Sequence, residues 1–160
     1  MSPVFRTLIV TMVVPGFWTV AIPYWLLPRG ARPDVRGVDA AGWLLIAAGI
    51  ALYSACAFWG FALRGKGTPL PIDPPKKLVV EGPYTIVRNP MYWSVVFVML
   101  GEAAVFHSRA LVELAIAFFV GANLFVRLYE EPGLKRKFGA EYEEYSRCVP
   151  RWLPRFKPFA

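Results

Sequence analysis

Histidine, cysteine and acidic residues are scarce in this chain. It has one histidine, His107, and two cysteines among 160 residues. Zinc centres take three or four ligands, most often Cys and His, so no metal site is expected. Cys56 lies in an apolar run and Cys148 near the end, which makes neither a disulfide framework nor a ligand spacing. Eleven acidic residues stand against eighteen Lys and Arg, a net charge of +7. On a soluble domain that balance would raise nucleic acid as a partner. Here most basic residues flank apolar runs, so the charge is assigned to membrane topology and to anionic lipid headgroups, and no nucleic-acid partner is expected.

Apolar residues are abundant. The chain is 56% hydrophobic and 16% aromatic, with a mean hydropathy of +0.43. That is too apolar for an ordinary soluble domain, and the long runs indicate membrane spans. Its length suits a single domain over 1–160.

Four apolar runs follow in order. The first, Phe5 to Leu27, is interrupted by Pro15-Gly16 and Pro23, so a kink is expected. It is too long for an ordinary signal-peptide core and no small-x-small site follows, so it is read as a retained helix. The second, Ala40 to Leu63, carries small residues at Ala41, Ala48, Ala55 and Ala62, with Gly42, Gly49 and Cys56 one step on. Seven-residue spacing of small side chains lets a neighbouring helix approach closely. The third and fourth runs, Pro90 to Phe106 and Leu111 to Tyr129, are separated by four residues, so they should form a tight antiparallel hairpin. Glu102 and Glu113 fall near its tip, where they would reach the far interface or pair with Arg109.

Between the second and third runs lies a long connection, Arg64 to Asn89, stiffened by prolines. It reads as a strap over the membrane surface. After Glu130 the chain is polar and basic. Glu141 to Cys148 is predicted as a short surface helix, and Trp152, Phe156 and Phe159 alternate with basic residues as in an interfacial tail. Lys and Arg concentrate in the long connection and the tail. The positive-inside rule then places both termini, the connection and the tail in the cytoplasm. The expected fold is an all-α integral membrane bundle of four transmembrane helices. A cytoplasmic pocket in it would be closed by loop and tail. A bacterial inner membrane and an endoplasmic-reticulum-like membrane both suit it.

Two polar stretches face that side. In Glu81 to Tyr92, Gly82-Pro83 forces a turn and Pro90 suits the first position of a helix, so Arg88 and Asn89 sit at a helix mouth that favours anions. Arg127, Glu130 and Glu131 fall at i, i+3 and i+4, which regular helical spacing puts on one face. Paired carboxylates near a helix C-terminus are unfavourable, so a cation should compensate them. Arg88, Arg127 and a cationic ligand are the candidates.

The motifs Glu81-Gly-Pro-Tyr84, Val87-Arg-Asn-Pro-Met-Tyr92, Arg127-x-x-Glu130-Glu131-x-x-Leu134, Phe138-Gly-x-Glu-Tyr142-x-x-Tyr145 and Val149-Pro150 come in fixed order. Together they resemble the isoprenylcysteine carboxyl methyltransferase family and, more loosely, the phospholipid N-methyltransferases. The resemblance covers Leu78 to Pro154, and residues 1–63 read as two generic helices. The family pattern most often has His where this chain has Asn89, so no ionising imidazole stands there. The resemblance implies an S-adenosylmethionine-dependent integral membrane methyltransferase acting on a hydrophobic or lipid-linked acceptor. The alternatives are a phospholipid (phosphatidylethanolamine) N-methyltransferase, a small-thiol methyltransferase, a sterol-type reductase, and a non-catalytic membrane interaction protein. It further implies a cofactor pocket at Tyr84, Arg88, Asn89, Pro90, Tyr92, Glu130 and Glu131, with Arg127 and Glu130 as the catalytic pair.

Overall fold

The computed structural model describes residues 3–33, 40–57 and 77–155. The expected end of the second span at Leu63, Ala62, the connection through Lys76, and Phe156 and Phe159 lie outside them. All regular structure among the described residues is helical. The elements are α1 (Pro3–Gly16), α2 (Ile22–Leu26), α3 (Ala40–Ser54), α4 (Pro90–Val105), α5 (Arg109–Phe125), α6 (Glu131–Phe138) and α7 (Ala140–Cys148).

Alpha1 and α2 are one interrupted helix. Pro15 lacks the N–H that continues the ladder, and the break is taken up by a π-helical turn over Phe17–Ala21. Thr19 Oγ1 donates to the Pro15 carbonyl at 2.9 Å, satisfying an acceptor at the break. Among the described residues two helical stretches are long and apolar enough to cross a membrane, Ala40–Ala57 and Arg109–Phe138. Only 22% and 28% of the most apolar 18-residue stretch of each is buried, so most of that surface faces outward, unlike the core helix of a soluble protein.

Alpha3 packs against α4 at backbone distance. Gly42 and Gly49 are buried there, and Cys56 beyond the end of α3 is buried beside Tyr84, whereas Ala41, Ala48 and Ala55 face outward. The contact is therefore made by the second of the two small-residue rows. A Cβ on Gly49 would stand 2.6 Å from the Ser94 carbonyl oxygen, and one on Gly101 of α4 would stand 2.6 Å from that of Gly42. Dispersion and close backbone approach hold such pairs together where lipid offers no hydrophobic drive.

Alpha4 and α5 form the expected hairpin, turning at His107, whose φ is 47°. Arg109 pairs with Glu113 at 2.9 Å, not with Glu102. Val95, Met99 and Ala115 make the core between the two helices, with Trp18 packed against it. A second cluster lies beyond the spans: Tyr142, Tyr145 and Val149 of the tail bury against Leu78, Val80, Leu134 and Phe138. Gly139, at φ 55° and ψ −125°, permits the sharp break that folds α7 back onto α6, in a region closed to other residues.

Candidate functional site

Pro90 is the first residue of α4, and the chain reaches it through a 3₁₀ turn at Gly82–Thr85. This places Tyr84, Arg88, Asn89 and Tyr92 along one rim. The opposite rim comes from the helix that begins as α5. It continues past the paired glutamates, through a π-helical turn at Val126–Glu130, into α6, so the glutamates lie upstream of its last turn. The Glu131 N–H bonds the Val126 carbonyl, a five-residue step. The widened turn separates residues that ordinary helical spacing would align. Glu130 turns inward, while Arg127 is exposed.

The rims enclose a cavity of about 700 Å³. Tyr84, Arg88, Asn89, Tyr92, Glu130 and Glu131 all line it. Pro90 is buried behind them as the helix start. Arg127 lines an adjoining outer groove with Lys135 and Arg151, and Arg88, Glu131 and Tyr142 line both that groove and the cavity.

The two glutamates have different partners. Glu130 Oε2 accepts a 2.8 Å bond from the Tyr92 hydroxyl, a neutral donor. Glu131 is held by two guanidinium groups. Arg151 grips it through Nε to Oε1 and Nη2 to Oε2, both at 2.7 Å, and Arg88 Nη1 stands 2.9 Å from Oε1. Bidentate charge-assisted bonds are among the strongest a side chain makes. The compensating cations are thus Arg88 and Arg151, and Arg127 makes no ion pair among the described residues. The Glu131 carboxylate raises the Arg151 guanidinium above its ordinary value through that bond.

Arg151 was not singled out as a site residue from sequence. The available signal was its place directly after Val149-Pro150, within the motif stretch. Its neighbours fasten the tail across the rim. Arg88 N–H donates to the Pro150 carbonyl at 2.9 Å and Asn89 Nδ2 to that of Arg151 at 3.1 Å. Trp93 Nε1 donates to the Trp152 carbonyl at 2.9 Å, and Trp152 Nε1 to Asn123 Oδ1 of α5 at 2.9 Å. Asn89 is therefore a tail clamp as well as a cavity wall.

Tyrosines complete the polar lining. Tyr142 accepts from Arg88 Nη1 at 3.1 Å, and Tyr145 donates to the Tyr84 carbonyl at 2.8 Å. Burial pushes the Tyr84, Tyr142 and Tyr145 phenols up, so all three stay neutral hydrogen-bonding groups. Arg88 Nε is buried with no hydrogen-bond partner, leaving one donor of this guanidinium unspent.

Comparison with known proteins decides the family. The model of the phospholipid methyltransferase family matches residues 39–141, more than half of the chain. The chain belongs to the phospholipid methyltransferase family. Among curated relatives, Protein-S-isoprenylcysteine O-methyltransferase B of Arabidopsis thaliana is 37% identical over 79 residues, which is 49% of this chain and 40% of that protein. The chain thus matches less than half the length of that relative. No solved structure matches it. The family match takes in α3, the whole α4–α5 hairpin, the π-helical turn and α6. It therefore includes every residue of the rim except those the tail supplies after 141.

Proposed function

We propose that this protein is an S-adenosylmethionine-dependent integral membrane methyltransferase acting on a hydrophobic or lipid-linked acceptor. The reading rests on one observation: one cavity of about 700 Å³ is lined both by polar groups, among them Arg88, Tyr92 and Glu130, and by a larger set of apolar side chains. Four helical segments cross the bilayer in this reading, with both termini and the cavity's polar groups on the cytoplasmic side, as the distribution of Lys and Arg requires. Carboxyl O-methylation of a prenylcysteine-like group is the first acceptor chemistry. Methylation of a phospholipid amine is the second, favoured by the family's own description.

When bound, S-adenosylmethionine supplies a methyl group already activated on a sulfonium, together with an ammonium and a carboxylate. The residues present fit such a molecule. Glu130, held only by a neutral hydroxyl, is a free negative charge for an ammonium or for ribose hydroxyls. Arg88 retains a buried unpaired donor for a carboxylate. Glu131, spent on two guanidinium groups, positions Arg88 and the tail. These groups bind and orient, and orientation is the larger part of the work in an in-line displacement. A carboxylate acceptor needs no general base. An amine arrives protonated, and Glu130, which no guanidinium holds, is then the base.

Calorimetry of S-adenosylmethionine on detergent-purified protein tests the class. Binding in the micromolar range, weakened in Glu130→Gln, supports it. No binding by folded protein returns the chain to the interaction-protein reading. Transfer of labelled methyl to farnesylcysteine or to phosphatidylethanolamine then separates the two acceptor chemistries.

A further inference from the structure

Tyr92 carries the 2.8 Å bond to Glu130 at the tip of its ring, and the ring lies against two others. Phe118 of α5 meets it with centroids 6.4 Å apart and planes tilted by 41°. Trp152 of the tail meets it edge to face, at 6.1 Å and 74°. Both separations are those of aromatic pairs in contact. Tyr92 and Phe118 line the cavity, whereas Trp152 lines neither the cavity nor the outer groove. Whatever Trp152 does for the site, it does through its neighbours.

Trp152 is held on several sides. Its ring meets Phe119 of α5 at 4.9 Å and Trp93 of α4 at 6.4 Å. Its carbonyl accepts from the Trp93 indole, and its own indole N–H donates to Asn123, both at 2.9 Å. Asn123 is the only polar side chain between Glu113 and Arg127 in an otherwise apolar stretch of helix. An amide in such a place is costly unless it is bonded, and the Trp152 indole supplies the bond. The residue before it, Arg151, grips Glu131. Two adjacent residues of the tail thus reach two adjacent glutamates, Arg151 directly and Trp152 by way of Tyr92.

We infer that Trp152 is a positioning residue: it braces the Tyr92 ring so that the hydroxyl holds the Glu130 carboxylate toward the cavity, and Asn123 sets the depth at which the brace sits. A ring walled on one side only can swing about its side-chain torsions, and the hydroxyl at its tip moves furthest. The inference rests on the methyltransferase reading for what Glu130 meets, but not for how Glu130 is held.

A double-mutant cycle tests it on wild type, Trp152→Leu, Tyr92→Phe and the combined variant in detergent. Tyr92→Phe keeps the ring against Trp152 and removes only the hydroxyl, so the two losses overlap if Trp152 acts through that group. Trp152→Leu should lower the melting temperature less in the Tyr92→Phe background than alone. Calorimetry with S-adenosylmethionine should show Trp152→Leu weakened by about tenfold, the scale of one charge-assisted bond, and the combined variant no weaker than Tyr92→Phe. Trp152→Phe restores an aromatic edge but not the indole N–H, and should recover part of the affinity. Should Trp152→Leu not fold, Asn123→Leu takes its place in the cycle, with a smaller loss that also vanishes in the Tyr92→Phe background. Additive melting losses overturn the inference, and so does wild-type cofactor affinity in Trp152→Leu. If wild type binds no cofactor while the melting losses overlap, the brace stands and the methyltransferase reading falls.

Discussion

Arg151 grips Glu131 with two 2.7 Å bonds across twenty residues of sequence, and this pair fastens the tail to the rim of the cavity. The carboxylate side chain is 18% exposed and the guanidinium 26%, so the pair is only partly shielded from water. Arg151→Gln leaves Glu131 to Arg88 alone. The expected cost is about 1–3 kcal/mol, the range for a hydrogen-bonded charge losing its partner, discounted for exposure. Thermal unfolding in detergent should show it, and limited proteolysis should cut sooner between Cys148 and Arg155. An unchanged cleavage rate would mean that the tryptophan and asparagine bonds hold the tail alone.

The paired glutamates should separate in their effects. Glu130→Gln removes a charge that faces the cavity and keeps a group able to accept from Tyr92. It is expected to leave the melting temperature nearly unchanged while weakening S-adenosylmethionine binding by about tenfold or more, the scale of one charge-assisted bond. Glu131→Gln removes the counter-charge of both Arg88 and Arg151, so it should lower the melting temperature and loosen the tail. Comparable melting losses in the two variants would contradict the division of labour.

This division was not legible in the sequence, and the reason is geometric. Counting i, i+3 and i+4 from Arg127 puts three side chains on one face only if the helix is regular. The π-helical turn at Val126–Glu130 breaks that condition, and the one local signal for it was Pro132, two residues beyond the turn, as Pro15 stands two residues before the first π-helical turn. Arg151 reaches Glu131 because Gly139 reverses the chain, a long-range pairing that local spacing does not carry. What local chemistry does fix was readable: Pro90 opening α4, the short hairpin turn at His107, and the Gly42 and Gly49 row that brings α3 onto α4. The rim residues Tyr84, Arg88, Asn89, Tyr92, Glu130 and Glu131 came from a motif pattern, and the fold gathers them around one cavity.

The tight glycines make a stability prediction. Gly49→Ala would place a Cβ 2.6 Å from the Ser94 backbone oxygen and 2.7 Å from Val98 Cγ2. Backbone cannot yield as a side-chain tip can, so α3 and α4 must move apart. Overpacking of this kind costs about 1–3 kcal/mol. Gly133→Ala, where a Cβ meets nothing within 4 Å, is the matched control and should melt like wild type. Equal melting of both variants would show that the helices tolerate a wider separation.

The buried phenols set an alkaline limit. Burial raises Tyr84, Tyr142 and Tyr145, so the folded state binds their protons more tightly than the unfolded chain does. Stability from this source is complete below the unfolded value of about 10 and is lost as pH rises beyond it. The melting temperature should therefore fall between about pH 10 and pH 12, and Tyr145→Phe should flatten that fall while lowering the plateau, because its 2.8 Å bond to the Tyr84 carbonyl is gone.

Arg127 is the remaining site residue, and its position gives it a distinct signature. It is exposed, lies outside the cavity, and lines the outer groove beside Lys135 and Arg151. It shares that groove with Arg88 and Glu131 but pairs with neither, so Arg127→Ala should bind S-adenosylmethionine as wild type does. If it holds the anionic group of the acceptor, turnover should fall by about tenfold to a hundredfold, the cost of one charge-assisted contact. Arg127→Lys should recover part of that loss, since a point charge replaces the fork. A variant that loses cofactor affinity instead would move Arg127 to the cofactor side and leave the acceptor's anion to Lys135 and the tail.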